Sequence, residues 1–291
     1  MSKTIDYNRD YKKKLQERGV SVWPRTVPVP EGCWMCGRTN VKLAKARLFP
    51  DWMLKVFGCG DFMYTSAHLD GAGNVLDHYD TAFKKLGCEQ VCQNCIHGWI
   101  NELDTAFKSV FLGDINVALE EQPILFARWA AKTATLINIS QQLRLQIPAE
   151  ARHGLSGTTT LPTGWRVYAF NTTAESQSPI DWIQGAPMLA PMKANTEKKG
   201  TATLGNLFTC ALKISNLGLL AYWHPDDIYN IEPVSPLKRL WPDPEGTLTD
   251  ESWHLYTGMC VADVSNSQKR WLEMLQDTRQ KVANGSSLYD S

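Results

Sequence analysis

Two short cysteine pairs, Cys33-Trp34-Met35-Cys36 and Cys92-Gln93-Asn94-Cys95, constrain this chain more than any other feature. Two residues between the sulfurs is the spacing at which one tight turn directs both thiolates to a common point. Two such turns supply four sulfurs, the tetrahedral donor set of a structural Zn2+. The N-terminal third must therefore fold so that segments separated by 55 residues meet at one ion. Cys33, Cys36, Cys92 and Cys95 are the expected ligands. Of the remaining thiols, Cys88 lies four residues before Cys92 and reads either as a substitute ligand or, like Cys59, as a buried small side chain. Cys210 and Cys260 sit among apolar residues and read as core. No basic partner that would activate a catalytic thiol is identifiable near any of them.

The metal reading needs reduced thiols. Met1-Ser2-Lys3-Thr4-Ile5-Asp6 lacks the apolar core of a secretion signal. A cytoplasmic location is therefore expected, where clustered cysteines hold metal more often than they pair. No run approaches eighteen apolar residues, so no membrane contact is expected. The 30 basic and 30 acidic side chains balance, which counts against a dedicated nucleic-acid binder. Residues 1–30 do carry seven basic side chains against three acidic ones. That excess reads either as the solvated face of a helix around Tyr11–Arg18 or as a contact for phosphate or an acidic protein surface.

Along the chain, residues 1–32 read as an arm: a short polar helix over Asp6–Arg18, then the proline-punctuated stretch Trp23–Pro30. Residues 33–147 read as a zinc module followed by helices, with an insertion near Gly58–Leu86 and a turn at Asp70–Asn74. Trp99, Leu103, Phe107 and Phe111 recur every fourth residue and predict a helix that Gly113 closes. Glu120-Glu121-Gln122-Pro123 predicts the first turn of a second helix running towards Leu143. Residues 148–291 read as β-rich, with strands at Gly164–Phe170, Asn206–Ile214 and Leu217–Trp223, the last two joined by Ser215-Asn216. Pro179–Gly200 and Pro225–Gly246 read as loops, and Gln268–Ala283 as a closing helix. The fold class is α+β.

With these residues in view, the chain resembles zinc-knuckled HNH endonuclease-like proteins of bacteria and their phages. The resemblance rests on Cys33-x2-Cys36-Gly37, on Leu48-Phe49-Pro50-Asp51-Trp52-Met53, and on Val91-Cys92-x2-Cys95-x2-Gly98-Trp99. It is strongest over residues 33–104. Weaker matches follow in order at Trp129–Thr133 and Leu237–Pro242. The resemblance implies a ββα-metal fold, a hairpin and a helix clasping a divalent ion. It also implies an acid-His dipeptide just before the Pro50 segment, whose histidine acts as general base on water, and an orienting Asn after the last knuckle cysteine.

This sequence has Ala46-Arg47 where the acid and histidine belong, and Ile96 where the Asn belongs. Alanine neither binds metal nor accepts a proton, and arginine stays protonated. The resemblance therefore implies a degenerate catalytic site and no retained hydrolysis. Arg47 is left as a candidate contact for phosphate or a partner, or as half of an ion pair with Asp51. The alternative is an active metal-dependent DNA or RNA endonuclease with relocated ligands around His97. His68, His78, Asp61, Asp70, Asp77 and Asp80 are available to such a site, but each also reads as an ordinary surface group. His224-Pro225-Asp226-Asp227 is a further acid-base candidate or a capped turn.

Eleven tryptophans raise the question of a binding surface. Trp99, Trp129 and Trp271 fall at core spacing. Trp34, Trp165, Trp182, Trp241 and Trp253 are less constrained and read as possible hot-spot residues. The reading is a zinc-stabilised, HNH-like pseudo-nuclease that works by binding, with a protein partner favoured over nucleic acid. The resemblance adds a role in phage–host conflict. A scaffold role carried by the β-rich half is a third reading.

Overall fold

The architecture is that of a computed structural model. It describes residues 32–69, 75–140, 147–157, 159–172, 178–185, 192–194, 208–225, 231–233 and 236–253. The expected helices at Asp6–Arg18 and Gln268–Ala283, the proline connector, the turn at Asp70–Asn74, Cys260 and Trp271 lie outside these residues.

The first strand, β1 (Leu43–Arg47), runs into a short helix, α1 (Asp51–Val56), which buries Met53 and Leu54. Two strands, β2 (Met63–Leu69) and β3 (Val75–Ala82), pair with each other within the expected insertion. They belong to a compact unit separate from the rest, of which residues 63–69 and 75–81 are described. Everything else described forms a second unit, residues 29–62 and 82–257. There β4 (Gly87–Cys92) returns antiparallel to β1, with Leu43 opposite Cys92 and Arg47 opposite Gly87.

After β4 the chain turns once as α2 (Gln93–Cys95) and widens at Ile96–Ile100, where Gly98 leaves helical geometry (φ −92°, ψ −119°). It then runs as α3 (Asn101–Phe111). The predicted face buries Leu103 and Phe107. Phe107 stacks on Trp129 at 4.2 Å between ring centroids, and Trp52 packs on Phe111 at 6.0 Å.

A helix not read from the sequence precedes the predicted one. This helix, α4 (Ile115–Glu121), begins at Asp114, whose carboxylate accepts the N–H groups of Asn116 at 2.9 Å and Val117 at 3.4 Å. Glu120 and Glu121 end that helix instead of opening the next. Pro123 does stand at the first position of α5 (Pro123–Ser140).

From Phe126 to Ile139 every residue of α5 except Arg128 is buried. A helix buried all round must be walled on all sides. Here α3, α4 and β4 supply part of the wall, and the large sheet supplies the rest. That sheet has the order β11 (Lys238–Trp241), β5 (Trp165–Thr172), β9 (Leu217–Trp223), β8 (Phe208–Ile214), β6 (Ile180–Gly185), with β12 (Asp250–Glu251) lying parallel to β5. All its other pairings are antiparallel. Ser215, at φ +56°, closes the predicted β8–β9 hairpin. β8 and β9 are buried at every residue. Tyr168, Phe170, Ala211, Leu220, Tyr222 and Trp253 form one cluster on this sheet.

The two stretches read as loops contain strands. β6 lies within Pro179–Gly200, as does β7 (Met192–Ala194); β10 (Ile231–Pro233) and β11 lie within Pro225–Gly246. Prolines and glycines mark the ends of these short runs, which is why counting them concealed the runs. The boundary at 147/148 coincides with no seam: α5 before it and the sheet after it share one core.

Candidate metal centre

The first knuckle is a tight turn. Cys33 N–H donates to Arg38 O at 2.9 Å and Gly37 N–H to Cys33 O at 2.8 Å, with Gly37 at φ +71°. A side chain at Gly37 would be strained there and would meet the His153 ring, with Cε1 at 2.6 Å from an added Cβ. Trp34 N–H donates to Gln90 O at 2.9 Å, which holds this turn against β4. The second knuckle forms where β4 ends. Cys95 N–H donates to Cys92 Sγ at 3.4 Å, so the first turn of α2 is capped by a sulfur.

These turns bring Cys33, Cys36, Cys92 and Cys95 together with all four sulfurs within 4.8 Å of one another. Cys33 and Cys95 sulfurs lie 3.8 Å apart, and so do those of Cys36 and Cys92. A tetrahedron with Zn–S bonds of about 2.3 Å has edges of about 3.8 Å. A disulfide would need roughly 2.05 Å, and all four cysteines are free. The donor set fits a zinc ion. Among the described residues it is the one group of three or more His, Cys, Asp or Glu side chains close enough to share a metal.

The local field prepares part of this set. Contact with the Cys95 sulfur, aided by the Cys92, Met35 and Cys36 backbone N–H groups, pulls the Cys33 thiol down to about 4 against the effect of burial. The same contact and burial push Cys95 up. Cys92 N–H donates to Cys33 Sγ at 3.2 Å, an N–H···S bond of the kind that favours thiolate. Cys88 stands outside the set; burial pushes its thiol up to about 11. Cys59 and Cys210 are buried thiols, each also raised by burial.

The residues named for the catalytic question are dispersed. Ala46 is buried on β1, opposite Cys88. Arg47 pairs with Asp51 one helical turn away, both half-exposed. Ile96 is half-buried and His97 is exposed on the widened turn. Asp61 pairs with Lys84, and Asp80 is exposed. The side chains of His68, His78, Asp70 and Asp77 lie outside the described residues. His224 is buried, its backbone N–H donating to Gly164 O at 3.0 Å, while Asp226 and Asp227 lie outside the described residues.

The tryptophan argument for a surface is corrected by burial at four of the five positions, while Trp241 is half-buried. Trp34, Trp165, Trp182 and Trp253 are all at most 7% exposed. Trp182 packs on Phe49 at 5.5 Å and on Phe83 at 6.3 Å, tying the sheet to the knuckle module. Trp165 donates to Ala151 O at 3.3 Å, and Trp253 to Asp181 at 3.0 Å.

Two residues beside the centre had no counterpart in the sequence reading. A short helix after Pro148, α6 (Ala149–His153), places His153 against Gly37 and Arg152 over the Trp34 ring at 5.1 Å. Burial lowers the affinity of both for a proton. The Pro148-Ala149-Glu150 start of α6 was legible as a helix signal; its docking on the knuckle was not.

No protein-family model, curated protein or solved structure matches this chain. No helix among the described residues is long and apolar enough to cross a membrane.

Proposed function

We propose that this chain is a zinc-clasped, catalytically degenerate relative of the HNH endonucleases that acts by binding a protein partner in the reducing cytoplasm. The observation that carries the reading is the contrast within one module. Four sulfurs sit at tetrahedral spacing, whereas the position of the acid-His pair holds a buried Ala46 and an Arg47 engaged by Asp51. A clasp with that chemistry holds a fold and offers no water-activating group. The balanced net charge favours protein over nucleic acid as the partner. Exposed Val56, Phe62, Leu112 and Val117 supply apolar contact area that the buried tryptophans do not. The phage–host setting comes from the motif resemblance alone.

The test is direct. Purified protein is incubated with supercoiled DNA, single-stranded DNA and RNA in Mg2+, Mn2+ or Ni2+. No cleavage is expected. Metal-dependent cleavage that His97→Ala abolishes would replace this reading with an active nuclease using relocated ligands. Affinity capture from the native host then identifies the partner; recovery of nucleic acid without protein overturns the preference for a protein.

A further inference from the structure

Arg152 is a buried cation that makes no direct ion pair with a carboxylate among the described residues. The residue is 4% exposed. Its guanidinium lies over the Trp34 ring at 5.1 Å, and its Nη1 donates to Ile147 O at 3.4 Å, a long bond. Its Nε meets no acceptor among the described residues. Burying a charge with so little hydrogen bonding is expensive unless an anion lies close. Glu150, exposed on the same short helix, acts on the guanidinium through space but makes no ion pair with it. Cys88 is nearby, but with its thiol pushed up to about 11 it is neutral at pH 7.

The knuckle that carries Cys33 and Cys36 is what the guanidinium touches through Trp34. Trp34, which carries the guanidinium on its face, lies between two of the four sulfur-bearing residues, Cys33 and Cys36. The next residue of α6, His153, presses its ring against Gly37 of the same turn. Four thiolates around a divalent ion carry a formal charge of about −2. Groups just outside a ligand set tune such a centre, and their removal typically costs about 10–100-fold in metal affinity.

We propose that Arg152 is the charge-compensating, positioning residue of the four-cysteine centre, so that metal loading and the docking of α6 stabilise each other. The inference rests on the zinc reading of Cys33, Cys36, Cys92 and Cys95. It makes the metal more than a clasp between two knuckles: the ion also recruits a segment 57 residues beyond the last ligand.

Full-length protein, Arg152→Met, Arg152→Gln and Arg152→Lys are titrated with Zn2+ against a chromogenic chelator and with Co2+ by absorption. Folding is followed by circular dichroism. The wild type should bind one ion and give the Co2+ spectrum of four sulfurs. The two neutral variants should lose about 10–100-fold in Zn2+ affinity, and Arg152→Lys should recover most of it because the charge is kept. A folded neutral variant that binds Zn2+ as tightly as the wild type overturns the role of Arg152. Should both neutral variants fail to fold, Arg152→Lys decides: affinity near that of the wild type supports charge compensation. A loss as large as that predicted for the neutral variants marks a packing role and overturns it. A wild-type protein that takes up neither Zn2+ nor Co2+ overturns the metal reading itself, whatever the variants do.

Discussion

Cys92 donates its backbone N–H to the Cys33 sulfur across 3.2 Å. The two knuckles are thus joined by a hydrogen bond as well as by any shared ion. The bond also adds to the larger effect of the Cys95 contact in lowering the affinity of the Cys33 thiol for a proton, because an N–H donor stabilises the thiolate and not the thiol.

Zinc retention should follow from this with a defined sign. Cys33 is pulled down to about 4 from the ordinary thiol range, chiefly by its contact with Cys95. A depressed folded-state value contributes stability that is complete above the unfolded thiol value, about 8.5. It is lost as pH falls through about 4. Competition between protons and metal acts in the same direction. Acid titration of loaded protein, followed by released zinc, should show release growing as pH falls. Release that increases with rising pH would contradict the assignment.

Single serine substitutions should separate ligands from bystanders. Cys33→Ser or Cys95→Ser should abolish stoichiometric zinc, measured by elemental analysis, and lower the unfolding temperature. Cys88→Ser and Cys59→Ser should keep one zinc per chain, since neither sulfur belongs to the cluster. Loss of zinc in Cys88→Ser alone would point to a different ligand set.

A second buried cation lies between α3 and α5. Lys132 Nζ and Trp129 Nε1 both donate to Asp104 Oδ1, at 2.7 and 2.8 Å, and the ammonium also faces the Trp129 ring at 4.9 Å. Lys132 is fully buried. Asp104→Ala should therefore destabilise by roughly 3–5 kcal/mol, as stranding a buried charge does. Asp104→Ala combined with Lys132→Met should cost less than Asp104→Ala alone. Urea unfolding of the three proteins checks this, and strict additivity would mean the two groups are not coupled.

Gly37→Ala should harm the knuckle for two separable reasons. The positive φ strains any side chain, and the new methyl collides with His153. His153→Ala should relieve only the collision, so the double variant should regain part of the lost thermal stability but not all. Full recovery would show that backbone strain contributes nothing there.

The four-sulfur cluster was legible in the sequence because the spacing within each pair is a local property: two residues between sulfurs suit a tight turn. The α3 face and the β8–β9 hairpin were legible for a similar reason, since periodicity and Ser215-Asn216 act within a few residues. The helix boundary at Asp114 was missed because the acids of Glu120-Glu121 competed with it as a start signal. β6 and β11 were missed because short strands gain their stability from neighbours distant in sequence. The same holds for Arg152 and His153. Their partners are Trp34 and Gly37, more than a hundred residues away, and no local pattern in α6 announces them.

The all-round burial of α5 also bears on how this protein tolerates cutting and recombination. A fragment ending at residue 147 would carry an 18-residue helix stripped of the sheet that covers it. The complementary fragment would bare the strands that α5 seals. Neither half is a transferable cassette. The knuckles and the β-rich segment belong to one compact unit.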